Sequence, residues 1–351
     1  MAAAPAVPAY RYTQAQITEF LEPLLTRDPA RASLLRRIHE SAGVETRTLV
    51  MPLQRYAGLD SFRQANDLFI EEGTRLAEKA TADALDAAGI RAGDVDLVLF
   101  TSVTGLAAPS IDARIAARLG MRADVKRMPS FGLGCVAGAS GLARVHDYLV
   151  GHPRDVALLV SVELCSLTVQ RGDDSMANIV ASGLFADGAV AVVAVGDELA
   201  RERGFAGAEI VDTRSSLYPQ TEDLIGWDIG GTGFRVILGA GVPEVIEQNF
   251  AGDVHGLLAD HELALDDIAT WLAHPGGPKV LTAFASSLGM PDAAFELSWR
   301  ALAARGNQSS ASVLGILADA LDASAPGGLG LLFALGPGVA AELVLLRWAD
   351  A

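Results

Sequence analysis

Only two cysteines occur in the chain, Cys135 and Cys165, and they form neither a CxxC pair nor a cluster with histidine. A disulfide framework and a structural zinc are thereby excluded, and the cysteine usage suits a reducing cytoplasm. Basic residues are equally scarce: 27 Lys plus Arg stand against 43 Asp plus Glu, a formal charge of -16, with no basic run. Nucleic acid is therefore excluded as a partner, and any anionic substrate must meet a local basic patch. The most apolar stretch, residues 328–346, is broken by Gly336-Pro337-Gly338 and carries Glu342. It reads as a buried hairpin and not as a membrane span. The first residues, Met1 to Pro5, have no basic segment followed by an apolar run, so no signal peptide is expected.

What is present is a large, apolar chain. Half of its 351 residues are hydrophobic and Gly is abundant at 36, which suits a compact α/β enzyme and not a disordered chain. Apolar positions recur at helical spacing over residues 68–89, and short β-branched runs at 96–102, 156–162 and 188–196 alternate with helical segments. This alternation predicts a largely parallel sheet with right-handed crossovers. The second half repeats the same order of elements. Two halves follow, 1–210 carrying the cysteine segment and 211–351 carrying the histidine and asparagine segments described next.

Cys135 sits in Gly134-Cys-Val-Ala-Gly138, at a turn into a predicted helix, where amides and the helix dipole favour a thiolate. Glycines at 132, 134 and 138 permit tight turns and close substrate approach. Cys165, between leucines after a strand, reads as a small wall residue. His274 ends an apolar strand and opens a Pro-Gly-Gly turn, where sheets present functional side chains. His39, His146, His152, His255 and His261 sit among charged or helical residues and are expected at the surface. Asn307, alone, reads best as a helix cap. Together, a thiol, an imidazole and a carboxamide supply a nucleophile and two hydrogen-bond donors for a developing oxyanion. The order Cys, His, Asn also occurs in papain-like proteases, but their cysteine lies near the mature N-terminus in a different motif.

Five segments carry a wider likeness: Gly134–Gly138, Leu184-Phe-Ala-Asp-Gly-Ala189, Ala273-His-Pro-Gly-Gly-Pro278, Gly306-Asn-Gln-Ser-Ser-Ala311 and Gly336-Pro-Gly338. In this order they resemble the type III polyketide synthases of the chalcone/stilbene synthase superfamily. The resemblance implies a thiolase-like, duplicated αβαβα five-layered α/β fold and a homodimer. It implies an acyltransferase acting on acyl-CoA and malonyl-CoA with no metal or prosthetic group. Carried over, Cys135 would hold the acyl chain, while His274 and Asn307 would bind the malonyl thioester and stabilise its enolate. Phe185 and Phe234 would gate the passage to the cavity, and Arg47 would lie near bound coenzyme A.

Departures from the plant pattern bear on substrate. Val136 follows the nucleophile where plant members carry Phe, and Ala334-Leu335 precede Gly336-Pro-Gly. The segments Thr101–Pro109 and Val162–Thr168 are similar to bacterial synthases that make long-chain alkylpyrones or alkylresorcinols, in which small residues matching Thr104, Ala108, Cys165 and Thr168 border an acyl tunnel. Each buried methylene contributes about 0.8 kcal/mol, so an open apolar tunnel selects long tails. A fatty acyl starter is therefore expected. The alternative within the family is a tetrahydroxynaphthalene-forming enzyme using malonyl-CoA only; Val103 stands where that type has a cysteine. A single condensation of the ketoacyl-carrier-protein synthase kind, a thioester hydrolase with the same three residues, and a non-catalytic homologue are the other rivals.

Overall fold

The computed structural model describes residues 1–205, 207–322 and 328–348. Its centre is a pair of helices, Ala137–Gly151 and Ser310–Asp322, held between two sheets. The first sheet runs in the order Ala2–Ala6, Asp187–Val195, Val156–Leu164, Leu97–Thr101, Lys126–Ser130, and the second in the order Ile268–Ala273, Gly328–Gly336, Ala340–Trp348, Ala208–Leu217.

The period-two alternation of strand side chains sorts the core into layers. Leu97 and Leu99 point to the central helices, meeting Leu142 and Leu314, while Val98 and Phe100 point outward to Leu76, Ala77 and Ala80 of the long helix Phe62–Ala88. In the second sheet Leu332 and Ala334 face inward. Leu331 and Phe333 face outward onto Phe250 and Phe284 of the helices Val242–Ala259 and Pro278–Leu288. Helix, sheet, helix pair, sheet and helix are the five layers the family resemblance implies.

The sheets are mixed, which corrects the expectation of largely parallel pairing. Leu97–Thr101 runs parallel to both neighbours, but Asp187–Val195 is antiparallel to Val156–Leu164 and to the N-terminal strand Ala2–Ala6. In the second sheet only Ile268–Ala273 and Gly328–Gly336 are parallel. The cause is connection length: the turn at Gly336–Ala340 is too short for a crossover and forces a hairpin. Ala208–Leu217 already pairs with Ala340–Trp348, so the expected division between 210 and 211 cuts a strand of the second sheet. Residues 349–351 of the expected second half lie outside the described residues.

The two central helices touch where side chains are absent. A Cβ at Gly138 would collide with the Ser310 carbonyl oxygen and come within 3.0 Å of Val313 Cγ1. Gly138→Ala is therefore expected to destabilise by the upper end of the ~1–3 kcal/mol usual for overpacking. Gly252, within the helix Val242–Ala259, has no atom within 4 Å of the added carbon. Gly252→Ala should instead stabilise by about 0.5–1 kcal/mol. Opposite shifts in melting temperature are the check.

Candidate active site

Three chain segments converge at the ends of the central helices. Gly134–Val136 is a single 3-10 turn feeding the helix Ala137–Gly151, and it places Cys135 just before that helix. Gly134 has φ +54, and a Cβ there would lie 2.5 Å from Pro337 Cδ, so the Gly-Pro-Gly hairpin packs directly on the cysteine turn. His274 follows the strand Ile268–Ala273, its amide donating to Phe333 O at 2.8 Å. Asn307 precedes the helix Ser310–Asp322 and is clamped beside Phe185: its amide donates to Leu184 O and its carbonyl accepts from the Ala186 amide, both at 2.8 Å.

The geometry of Asn307 is compatible with both readings. Its Oδ1 accepts from the Ser309 amide at 2.8 Å, as a cap does. That bond fixes which end of the carboxamide is spent, so Nδ2 is the end left to donate. Nδ2 lies 3.5 Å from Gly276 O, in the His-Pro-Gly-Gly turn. The His274 ring is buried, both of its nitrogens lack a partner, and burial pulls its pKa from 6.5 to about 3. A neutral imidazole and an amide thus offer uncharged donors to an arriving oxyanion.

The thiol corrects an expectation. The position at a helix start does not yield a thiolate, because burial pushes Cys135 up to about 12, outweighing its bonds to Ser309 and Asn307. Its Sγ lies 3.6 Å from Ser309 Oγ, and Ser309 itself adopts φ 49 to present that hydroxyl. Burial at Cys135 thus favours the neutral thiol over the thiolate.

Of the residues assigned to substrate, the structure gathers Phe185, Cys165, Thr168 and Arg47 around one small cavity, with Tyr56 and Trp227. Its volume is about 30 Å³. Phe234 is buried against Phe62, Phe131 and Trp227 in an aromatic cluster. Thr104 is buried but committed, bonding Glu163 and the Leu164 amide, and Ala108 is exposed, so neither lines that cavity. Arg47 is not at a surface where phosphates could meet it. Only 2% exposed, it donates to Phe185 O at 2.7 Å, and burial lowers it to about 10. His39, expected at the surface, is buried between Thr18 and Ser182 hydroxyls at 2.9 and 3.1 Å. The helices bearing those two residues close over it, which a helical pattern in one segment could not reveal.

Sequence reasoning passed over Glu163. A charged residue within the otherwise apolar run Val156–Leu164 was the available signal, and the structure places it fully buried behind Ser310 and Thr104.

The five-layered fold with these three side chains at its centre defines a thiolase-type acyl-transferring enzyme. A family model described as "FAE1/Type III polyketide synthase-like protein" matches residues 5–214, and one described as "Chalcone and stilbene synthases, C-terminal domain" matches 209–349. The chain belongs to the type III polyketide synthases of this superfamily. It is 55% identical over 98% of its length to a 1,3,6,8-tetrahydroxynaphthalene synthase of Streptomyces peucetius subsp. caesius, covering 91% of that protein. An alpha-pyrone-synthesis polyketide synthase-like protein of Mycobacterium tuberculosis is 31% identical over 91% of this chain and 83% of its own. Among solved structures, the tetrahydroxynaphthalene synthase of Streptomyces coelicolor A3(2) superposes with a TM-score of 0.93 at 32% identity, covering 99% of both chains. Among the described residues no helix is long and apolar enough to cross a membrane.

Proposed function

We propose that this synthase builds a tetrahydroxynaphthalene-type aromatic product from malonyl-CoA alone, as starter and extender. The observation that carries the reading is the 55% identity across nearly the whole chain to a protein of that name. This replaces the fatty acyl starter as the favoured reading.

In the proposed cycle the Cys135 sulfur attacks the starter thioester carbonyl, and coenzyme A leaves as its thiol. A second malonyl-CoA binds with its thioester oxygen between His274 and Asn307 Nδ2. Loss of CO₂ leaves an enolate whose charge those two donors hold in a dry site, where such bonds are worth most. The enolate carbon attacks the Cys135 thioester, the sulfur leaves, and the chain is two carbons longer. Phe185, between Asn307 and the cavity, and Phe234, in its aromatic cluster, confine the growing chain. The enzyme works as a homodimer, for which the edge strand Lys126–Ser130 supplies exposed Met128 with Phe131 and Leu133 beyond it.

The second reading, an alkylpyrone from a fatty acyl starter, rests on the small residues Cys165 and Thr168 at the cavity and on the mycobacterial relative. Mass spectrometry of products from malonyl-CoA alone, and from malonyl-CoA with hexanoyl- or palmitoyl-CoA, separates the two. An aromatic product from malonyl-CoA alone is expected. Products that form only when a fatty acyl-CoA is present would restore the alkylpyrone reading, and thioester cleavage without CO₂ release would point to a hydrolase.

A further inference from the structure

Arg47 is the only lysine or arginine buried among the described residues, and most of its hydrogen-bonding capacity is unspent. Nη1 donates to Phe185 O at 2.7 Å, but neither Nε nor Nη2 has a partner among the described residues. Asp187, two residues beyond Phe185, does not supply one, since its oxygens accept from the Val50 and Ser166 amides and from the Ser166 hydroxyl. A guanidinium held dry with two open donors is costly, and an unsatisfied buried group of this kind calls for an explanation. The open pair is chemically specific. Nε and Nη2 lie on the side of the guanidinium where two N–H bonds run parallel, the fork that grips both oxygens of a carboxylate.

These donors line the cavity shared by Phe185, Cys165 and Thr168. Of the buried side-chain nitrogen and oxygen atoms around it, only those of Arg47 lack a partner; Ser166, Thr168, Asn178 and Ser182 all have theirs. The arginine is also fixed against the reaction centre. A Cβ at Gly306 would come within 3.0 Å of Arg47 Cγ and Cδ, so the stem packs on the residue before Asn307, and the carbonyl that Nη1 holds belongs to Phe185, which pairs with Asn307.

We infer that Arg47 binds, through Nε and Nη2, the carboxylate of the malonyl group that starts the chain, and so selects malonyl-CoA over neutral acyl-CoA as starter. The inference rests on the malonyl-starter reading above and adds to it the residue that recognises the acid. No bond to the carboxylate changes on loading: the Cys135 sulfur bonds to the thioester carbonyl, and the coenzyme A sulfur leaves and takes up the thiol proton. The pairing also separates the two malonyl groups of the cycle. Loss of CO₂ requires the carboxylate's electrons to pass into an enolate, so a carboxylate paired with a guanidinium is held back from it, while the extender, bound by two uncharged donors, is not.

The test is the rate at which Cys135 is acylated, followed by rapid quench and intact-protein mass with every acyl adduct counted, using malonyl-CoA and hexanoyl-CoA in turn and melting temperature as the control for folding. In Arg47→Met, neutral and of similar length, acylation by malonyl-CoA should fall on the order of 10²-fold, the loss expected when a carboxylate is deprived of a charge-assisted fork. Acylation by hexanoyl-CoA should stay near the wild-type rate. An arginine that only supports the fold predicts that both rates fall together, and that result overturns the inference, as does an unchanged malonyl rate. A wild type that hexanoyl-CoA acylates and malonyl-CoA does not would remove the starter reading and this inference with it; a wild type acylated by malonyl-CoA, with the same ratio of rates in the variant, removes the inference alone. Should Arg47→Met fail to fold, Arg47→Lys decides, because it keeps the cation and loses the fork. Its malonyl rate should drop about tenfold, as for one lost bond to a charged group, with the hexanoyl rate retained. An unchanged ratio in that variant sinks the inference.

Discussion

Cys135→Ala is expected to abolish acyl loading and all product formation while leaving the fold intact. The change removes one sulfur from the 3-10 turn Gly134–Val136, whose position is set by backbone contacts with Pro337 and by the helix that follows, not by the thiol. No other side chain can substitute as nucleophile. The other cysteine, Cys165, is buried with its thiol pushed well above the usual range. The measurement is intact-protein mass after incubation with malonyl-CoA, together with product analysis and thermal melting. An acyl adduct on the variant, or retained polyketide, would place the nucleophile elsewhere.

The next largest effect should come from the two donors. His274→Ala and Asn307→Ala are each expected to lower malonyl-CoA decarboxylation by ~10²–10³, the usual cost of one oxyanion-hole donor. For Asn307 alanine is ambiguous, because it also removes the acceptor of the Ser309 amide. Asn307→Asp resolves this. Its carboxylate still caps that amide, but it has no hydrogen to donate and adds a charge where an anion must form, and burying that charge costs some stability. Decarboxylation should fall at least as far as in the alanine variant. If Asn307→Asp releases CO₂ at the wild-type rate, Asn307 is a cap and nothing more.

The two variants also show where reasoning from residues runs out. Cys135, His274 and Asn307 each stand beside glycines at the end of an apolar strand or the start of a helix, and local chemistry marks such places whatever the rest of the chain does. The same holds for the alternation that placed Leu97 and Leu99 apart from Val98 and Phe100, and for the hairpin broken at Gly336-Pro337-Gly338. These features rest on short-range periodicity and turn chemistry, which are written in consecutive residues.

Burial and charge state are a different matter, for they depend on atoms contributed from far along the chain. Protein packed around the Cys135 thiol pushes its pKa up, an effect larger than the local helix start that favours a thiolate. Arg47, expected near bound coenzyme A, is buried against the carbonyl of Phe185, and His39, expected at the surface, is buried by the helices bearing Thr18 and Ser182. The antiparallel pairing of Asp187–Val195 with Ala2–Ala6 joins segments at opposite ends of the first half. Glu163 shows the division most sharply. In the sequence it is one acidic residue in an apolar run; only the meeting of Val156–Leu164 with the start of Ser310–Asp322 and with Thr104 buries it and gives it the Ser310 and Thr104 hydroxyls, since desolvation and reach are properties of that packing and of no single segment.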